Sequence, residues 1–389
     1  MRALVAFDKF KDSMGAADAC RVASDAIRRA RAGCEVDVAP LTDGGEGFAR
    51  ILTEARGGEV RLADVSGPRP GRVGAEWGMV ALETLEPELR QWLAVPAKGS
   101  LAVVEMAQAS GLQGLPCEQR DPFRTTTRGT GQVIRAVAEA GASAILLGIG
   151  GSATNDIGLG ALEALGLQFL GPGGAVKGVT PAMWDEIDGV TGQIMALPPI
   201  RIACDVSNPL LGSNGATAVY GPQKGLRAAD LPRMQAGMER MAKLLCAYAG
   251  KGTGFIDEPC GGAAGGIGFG FRVVADAMYV PGFEVVSRWL RLEPRVSEAD
   301  VVITGEGRFD RSSLQGKGPG SLCRWAAAAG KPTWVFAGQI ATELMTAQPE
   351  AIRQLRLRQI SPAGMPLAEA LRRAPELLAL EVGAAFEKD

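Results

Sequence analysis

Repeated changes of hydrophobic period constrain this chain more than any other feature. Residues 4–7 form a short apolar run, and residues 16–30 then carry apolar positions at helical spacing. Residues 36–39 and 47–55 repeat the pair as strand and helix. From residue 299 the rhythm returns, with strands at 301–304 and 333–337 around a helix at 321–329. A strand that follows a helical crossover runs parallel to its predecessor, so the expected class is α/β with helices on the sheet faces.

A chain of 389 residues exceeds one ordinary core, so two domains are expected. The Pro/Gly stretch SGPRPGRVG at 66–74 is the first candidate boundary. Beyond it come strands at 73–80, 101–106, 144–149 and 201–206, and helices at 130–140 and 231–248. The segment 85–96 reads equally as a loop or a short hairpin. We expect a discontinuous domain from residues 1–74 plus 285–389, with a second domain inserted at 75–284.

Composition removes several function classes. Net charge is −2 and aromatic residues make up 5%, which leaves neither a basic footprint nor stacking platforms for nucleic acid. No apolar run reaches the ~18 residues that span a membrane. The opening MRALVAFDKFKDS is charged by its eighth residue, unlike a signal peptide. Seven cysteines, an odd number without a CxxC pair, fit buried thiols in the cytoplasm better than a disulfide framework. Histidine is absent, so any general base is Asp, Glu, Lys, Tyr or Cys.

The densest chemical signal is GIGGSATND at 148–156, directly after the apolar run 144–147. Glycines let a backbone approach a ligand, and a helix N-terminus favours an anion. A carboxylate beside an anion needs a cation between them, so the loop points to phosphate with Mg²⁺. Loops of related character follow other strands: DKFKDS at 8–13, DGGEG at 43–47, CDVSNP at 204–209 with GPQKG at 221–225, GGAAGGIGFG at 261–270, and TGEGRFD at 304–310 with QGKGP at 315–319. In open α/β sheets such loops lie at the carboxyl edge, where ligands bind. Neither a Walker P-loop nor a dinucleotide fingerprint is present. Without histidine, Ser152 has no triad partner.

In order along the chain, DKFKDS, DGGEG, EMAQASGL at 105–112, GTGQVI at 129–134, GIGGSATND, CDVSNPL, GPQKG, GAAGGIGFG, TGEGRFD and QGKGP resemble the bacterial glycerate kinase family of the two-domain type. The resemblance implies ATP- and Mg²⁺-dependent phosphorylation of D-glycerate, usually to 2-phosphoglycerate. It implies a Rossmann- or flavodoxin-like parallel-sheet domain beside a second α/β domain, with the active site in the cleft between them. Departures are Lys9 and Asp12 where the family usually has Ser and Gly, Ile157 where Gly is common, and Gln315 where His precedes Gly-Lys.

On this basis Gly150, Gly151, Ser152, Thr154 and Asn155, with Gly265 and Gly266, are expected to bind ATP. Asp156 and Asp205 are the expected Mg²⁺ ligands. Asp43 or Asp310 is the expected base, with Lys11 and Lys317 as cations in the reaction. Asp8, Ser13, Glu46, Lys224 and Arg308 are expected to contact glycerate. A hydroxy-acid dehydrogenase and a non-catalytic sugar-acid-binding protein are the alternatives. A homodimer is left open, and neither a nucleic-acid nor a membrane partner is expected.

Overall fold

The helix Ala16–Ala30 shows why the amino-terminal pattern folds as it does. Its buried face is Ala16, Ala19, Cys20, Ala23, Ala26 and Ile27, a spacing that keeps one stripe apolar. Asp18 in its first turn and Arg28 and Arg29 in its last complement the helix dipole. That stripe packs on the strand Arg2–Phe7, whose residues from Ala3 onward are fully buried. The structure is a computed structural model that describes residues 1–315, 318–346 and 354–387.

The chain divides into two compact units, Met1–Asp43 with Phe283–Asp389, and Gly44–Gly282. In the first, a five-stranded sheet runs Leu355–Gln359, Thr333–Ile340, Val301–Phe309, Arg2–Phe7, Glu35–Val38, with every pairing parallel. Counted along the unit's own chain, this is the flavodoxin-like order 2-1-3-4-5. Its topological switch point falls between Arg2–Phe7 and Val301–Phe309, where Ala3 pairs with Val301 and Phe7 with Gly305. Ligands in such sheets bind beyond the carboxyl ends at the switch point.

In the second unit, a six-stranded sheet runs Met278–Val280, Ile200–Ala203, Ala144–Gly148, Ser100–Glu105, Arg72–Ala81, Glu59–Ser66. The first four pair in parallel, and the last two form an antiparallel hairpin added at one edge. The Pro/Gly stretch at 66–74 is the turn of that hairpin, with Ser66 opposite Arg72, so it joins two strands of one sheet. Between 85 and 96 the chain forms the short helix Pro87–Trp92. A small antiparallel sheet, Gly174–Val176, Leu167–Gly171 and Gly189–Gly192, completes the unit. All seven cysteines are free, and Cys20, Cys204, Cys246 and Cys323 are buried. No helix among the described residues is long and apolar enough to cross a membrane.

Candidate functional site

In the first unit the switch point gathers carboxylates. The Asp8 amide donates to the Gly305 carbonyl at 2.9 Å, which starts the loop on the neighbouring strand. The Lys9 amide donates to Asp8 Oδ1 at 2.7 Å. A Cβ on Gly307 would stand 3.1 Å from the Lys11 amide nitrogen, so the missing side chain lets this loop lie against the strand. Lys11 is exposed.

The expected loop at 305–310 is instead mostly strand. Pairing with Thr333–Ile340 continues to Phe309 opposite Ile340, and it holds Glu306 half-buried at the sheet end. Burial, then the charges of Asp8, Asp310 and Asp43, push the Glu306 carboxyl up to about 7, against a hydrogen bond from Ser313. Its Oε1 is buried with no hydrogen-bond partner. The sequence signal for Glu306 was a carboxylate between two glycines directly after the strand expected at 301–304.

Asp310 differs from Glu306. The Ser312 hydroxyl and amide donate to its Oδ1 at 2.6 and 2.8 Å. Those bonds hold its carboxyl below the usual range. Exposed Arg308 lies 3.4 Å from Asp310 Oδ2. Ser13 turns elsewhere: its hydroxyl donates to the Leu371 carbonyl at 2.7 Å and ties the loop to the helix Leu367–Phe386. Lys317 lies outside the described residues, as does the side chain of Gln315.

In the second unit the GIGGSATND loop is built differently from the expected phosphate cradle. The Gly150 amide donates to the Gly44 carbonyl at 2.9 Å, and a Cβ on Gly150 would come 2.6 Å from Gly45 Cα. That glycine is needed for one loop to pack on another, and its N–H is already used. Ser152, Thr154, Asn155 and Asp156 all face inward, with Ser152 at 6% exposure and the others at 0%. Among the expected ATP-binding positions, Gly151 is the exposed one.

Lys224 and Asp156 hold this loop from within. The Lys224 ammonium donates to Ser152 Oγ at 2.9 Å and to the Thr154 carbonyl at 2.6 Å. Burial pushes its pKa down to about 7, opposed by the charge of Asp156. Asp156 Oδ2 accepts from the Thr127 amide at 2.8 Å, the Thr127 hydroxyl at 2.9 Å and the Gly160 amide at 3.3 Å. Its Oδ1 accepts from the Gly158 amide at 3.2 Å. Desolvation raises its pKa nonetheless. A fully buried carboxylate surrounded by N–H and O–H donors clasps the loop and presents no face to an ion. The Asn155 amide donates to Thr217 Oγ1 at 3.0 Å.

Gly265 packs against the Thr154–Asn155 backbone, and its carbonyl accepts from the Ile157 amide at 2.9 Å. Gly266 precedes the helix Ile267–Ala275. Asp205 is half-buried in the loop after Ile200–Ala203. Glu105, which sequence reasoning did not single out, is 2% exposed at the end of its strand. Its carboxylate accepts from the Ala49 amide and Gln108 Nε2, both at 3.3 Å. Burial pushes it up to about 7, aided by the like charge of Glu46. A cavity of about 340 Å³ is lined by Glu46, Glu105, Ala107, Gln108, Gln113 and Gly114.

Comparison with known proteins places these features in a family. Residues 3–386 match the Glycerate kinase family. A glycerate kinase of Bacillus subtilis (strain 168) is 34% identical over 385 residues, covering 97% of this chain and 95% of that protein. A glycerate 2-kinase of Escherichia coli (strain K12) is 34% identical, covering 88% of this chain and 87% of its own length. A crystal structure from Salmonella typhimurium LT2, of a protein assigned as glycerate kinase 2, superposes with a TM-score of 0.75 at 32% identity. It covers 100% of this chain and 98% of that one. With its doubly wound parallel sheet and this end-to-end likeness, the chain belongs to the glycerate kinase family.

Proposed function

We propose that this chain transfers the γ-phosphoryl group of ATP to D-glycerate, giving 2-phosphoglycerate and ADP in the cytoplasm. The observation that carries the reading is likeness along nearly the whole chain to proteins named glycerate kinase and glycerate 2-kinase. It favours a kinase over a hydroxy-acid dehydrogenase or a passive sugar-acid binder. The carboxylates at the switch point of the first unit suit the same chemistry.

The residues there fit Mg²⁺. Among the described residues no three Asp, Glu or Cys side chains form a ready metal cage. Mg²⁺ does not need one, because it takes one or two carboxylates and fills its shell with phosphate oxygens and water. The orphaned Oε1 of Glu306, facing the charges of Asp8, Asp43 and Asp310, is an acceptor in want of a cation. Glu306 with Asp8 would hold the ion. When bound, it would neutralise charge on the transferred group.

The chain's own side chains would do the rest. Lys11, Lys317 and Arg308 would supply positive charge to the phosphoryl group and to the glycerate carboxylate. Asp310 is stabilised as the anion, which makes it a poor proton acceptor, so Asp43 is the proposed base. Gly151 would offer its backbone to the phosphates. Lys224 and Asp156 would act only by keeping that loop in shape. Incubation with ATP, Mg²⁺ and D-glycerate, followed by phosphorus NMR, tests the reading. ADP and 2-phosphoglycerate are expected; absence of ADP, or 3-phosphoglycerate alone, would overturn it.

A further inference from the structure

Two cysteines of the second unit take no part in the scheme above. Cys204 directly follows the strand Ile200–Ala203 and is buried, while Cys260 precedes the glycine segment and is partly exposed. Both are free thiols, and they interact directly, side chain to side chain. Backbone bonds clamp their loops together. The Gly262 amide donates to the Asn208 carbonyl at 2.9 Å, and the Leu210 amide to the Ile256 carbonyl at 3.3 Å. Cys260 has φ +70°, a left-handed conformation uncommon outside glycine.

A packing role accounts for Cys204, whose thiol also donates to the Val206 carbonyl at 3.4 Å. It does not account for a second thiol, partly open to solvent, held against the first in an uncommon backbone conformation. A metal site needs more ligands, and among the described residues no three Asp, Glu or Cys side chains form one. Two touching thiols, one within reach of solvent and one behind it, are the arrangement that oxidants convert to a disulfide. In a reducing compartment such a bond is usually transient and serves as a sensor.

We propose that Cys204 and Cys260 form a peroxide-responsive disulfide that throttles phosphoryl transfer. The Cys260 sulfur attacks one oxygen of hydrogen peroxide. The O–O bond breaks, the thiol proton leaves with the other oxygen as water, and a sulfenic acid remains. The Cys204 sulfur then attacks the Cys260 sulfur. The S–O bond breaks, the S–S bond forms, and the Cys204 proton leaves with the hydroxyl as a second water. The two thiols lose two electrons and the peroxide gains them. An S–S bond of about 2 Å is far shorter than a non-bonded contact, so it draws the two loops together. The glycine segment has little room to yield. A Cβ on Gly265 would stand 2.1 Å from the Thr154 carbonyl oxygen, and the Gly265 carbonyl accepts from the Ile157 amide at 2.9 Å. The displacement therefore reaches the GIGGSATND loop, and a misplacement of about 1 Å can cost about a hundredfold in rate. The throttle rests on the kinase reading; the disulfide does not.

Peroxide treatment of the full chain tests the proposal. The treated protein is alkylated, digested and mapped by mass spectrometry without reduction, and ADP release with ATP, Mg²⁺ and D-glycerate is measured in parallel. A peptide linking Cys204 to Cys260 is expected, with at least about a tenfold loss of rate that dithiothreitol reverses. Cys260→Ser, checked for folding by circular dichroism, should match the wild type before treatment and keep its rate after it. Absence of the linked peptide would overturn the proposal. So would an equal loss of rate in Cys260→Ser, which would trace the loss to exposed Cys117 or another thiol. A linked peptide with an unchanged rate would refute the throttle. If the untreated chain releases no ADP, the kinase reading fails and the throttle with it, while the peptide map still decides the disulfide.

Discussion

Two glycine-rich segments of this molecule look alike in sequence and are built to opposite ends. TGEGRFD ends a buried strand and GIGGSATND follows one, and each mixes glycines with polar residues. In the first unit the result is unresolved charge: Glu306 keeps an orphaned oxygen among like-charged neighbours. In the second unit the charged groups are matched: Ser152, the Asn155 amide and Asp156 have partners inside the protein, and Lys224 ties the Ser152 hydroxyl to the Thr154 carbonyl, while only the neutral Thr154 Oγ1 and Asn155 Oδ1 stay unpaired. A loop held in tension by charge is a candidate for binding. A loop whose charged groups are paired is a scaffold for whatever lies beside it.

Asp156→Ala should break the scaffold most. It strands the Thr127, Gly158 and Gly160 donors in the interior, at about 1–3 kcal/mol for each buried group left unpaired. A loss of at least about 3 kcal/mol in urea unfolding is expected. A shift below about 0.5 kcal/mol, the size of an ordinary surface change, would erase the contrast between the loops.

Glu306→Gln should do the reverse. Removing one of several crowded carboxylates should leave unfolding unchanged or make it harder. The Mg²⁺ concentration for half-maximal rate should rise at least about tenfold, as for loss of a group that supports a metal. Lower stability with an unchanged Mg²⁺ requirement would place Glu306 in the scaffold class instead.

The pH dependence of stability sharpens the contrast within the second unit. Glu105 is raised from 4.5 to about 7, so the folded chain binds the extra proton across that window. Its contribution is full below pH 4.5 and is lost as pH rises through 7. Lys224 is lowered from 10.5 to about 7, so the folded chain holds fewer protons between those values. Its burial penalty therefore fades as pH rises from 7 to 10.5. Denaturant midpoints measured against pH should fall and then recover. Glu105→Gln should reduce the acidic limb, leaving the part that Glu306 contributes over the same window, and should keep the alkaline limb; loss of the alkaline limb, or an unchanged acidic one, would refute the assignment.

The smallest expected effect is Gly151→Ala. Gly151 has φ +71°, where a side chain costs about 1 kcal/mol. Gly141→Ala is the control, with φ +82° and open space around a new Cβ. Both should lose similar stability, but only Gly151→Ala should weaken ATP binding, because its methyl meets Ala107 and Glu46.

Much of the fold was legible because period survives in sequence. The helices Ala16–Ala30 and Leu231–Tyr248 and the parallel strands carry apolar spacing that only one element type can bury. The hairpin strand Glu59–Ser66 was not legible. Its edge position leaves one side unpaired, and EVRLADVS mixes charge with apolar residues. The extension of the strand through Glu306 was hidden by its glycines, which read as loop but allow close pairing with Thr333–Ile340.

For the site, sequence identified which segments carry polar residues but not which way those residues turn. Whether Asp156 faces solvent or Thr127 depends on a helix start from a distant part of the chain. Glu105 escaped notice for the same reason. A glutamate ending an apolar strand gains its character from Glu46 and Ala49, which come from another loop.

The pairing of Ala3 with Val301 sets the order in which this protein can assemble. At about 5–20 residues per second, the amino-terminal strand leaves the ribosome roughly 15–60 s before its central neighbour exists. All of Gly44–Gly282 is made in that interval. The later-numbered body can therefore mature first, while the opening forty-odd residues wait, with an apolar strand edge exposed, for the end of translation.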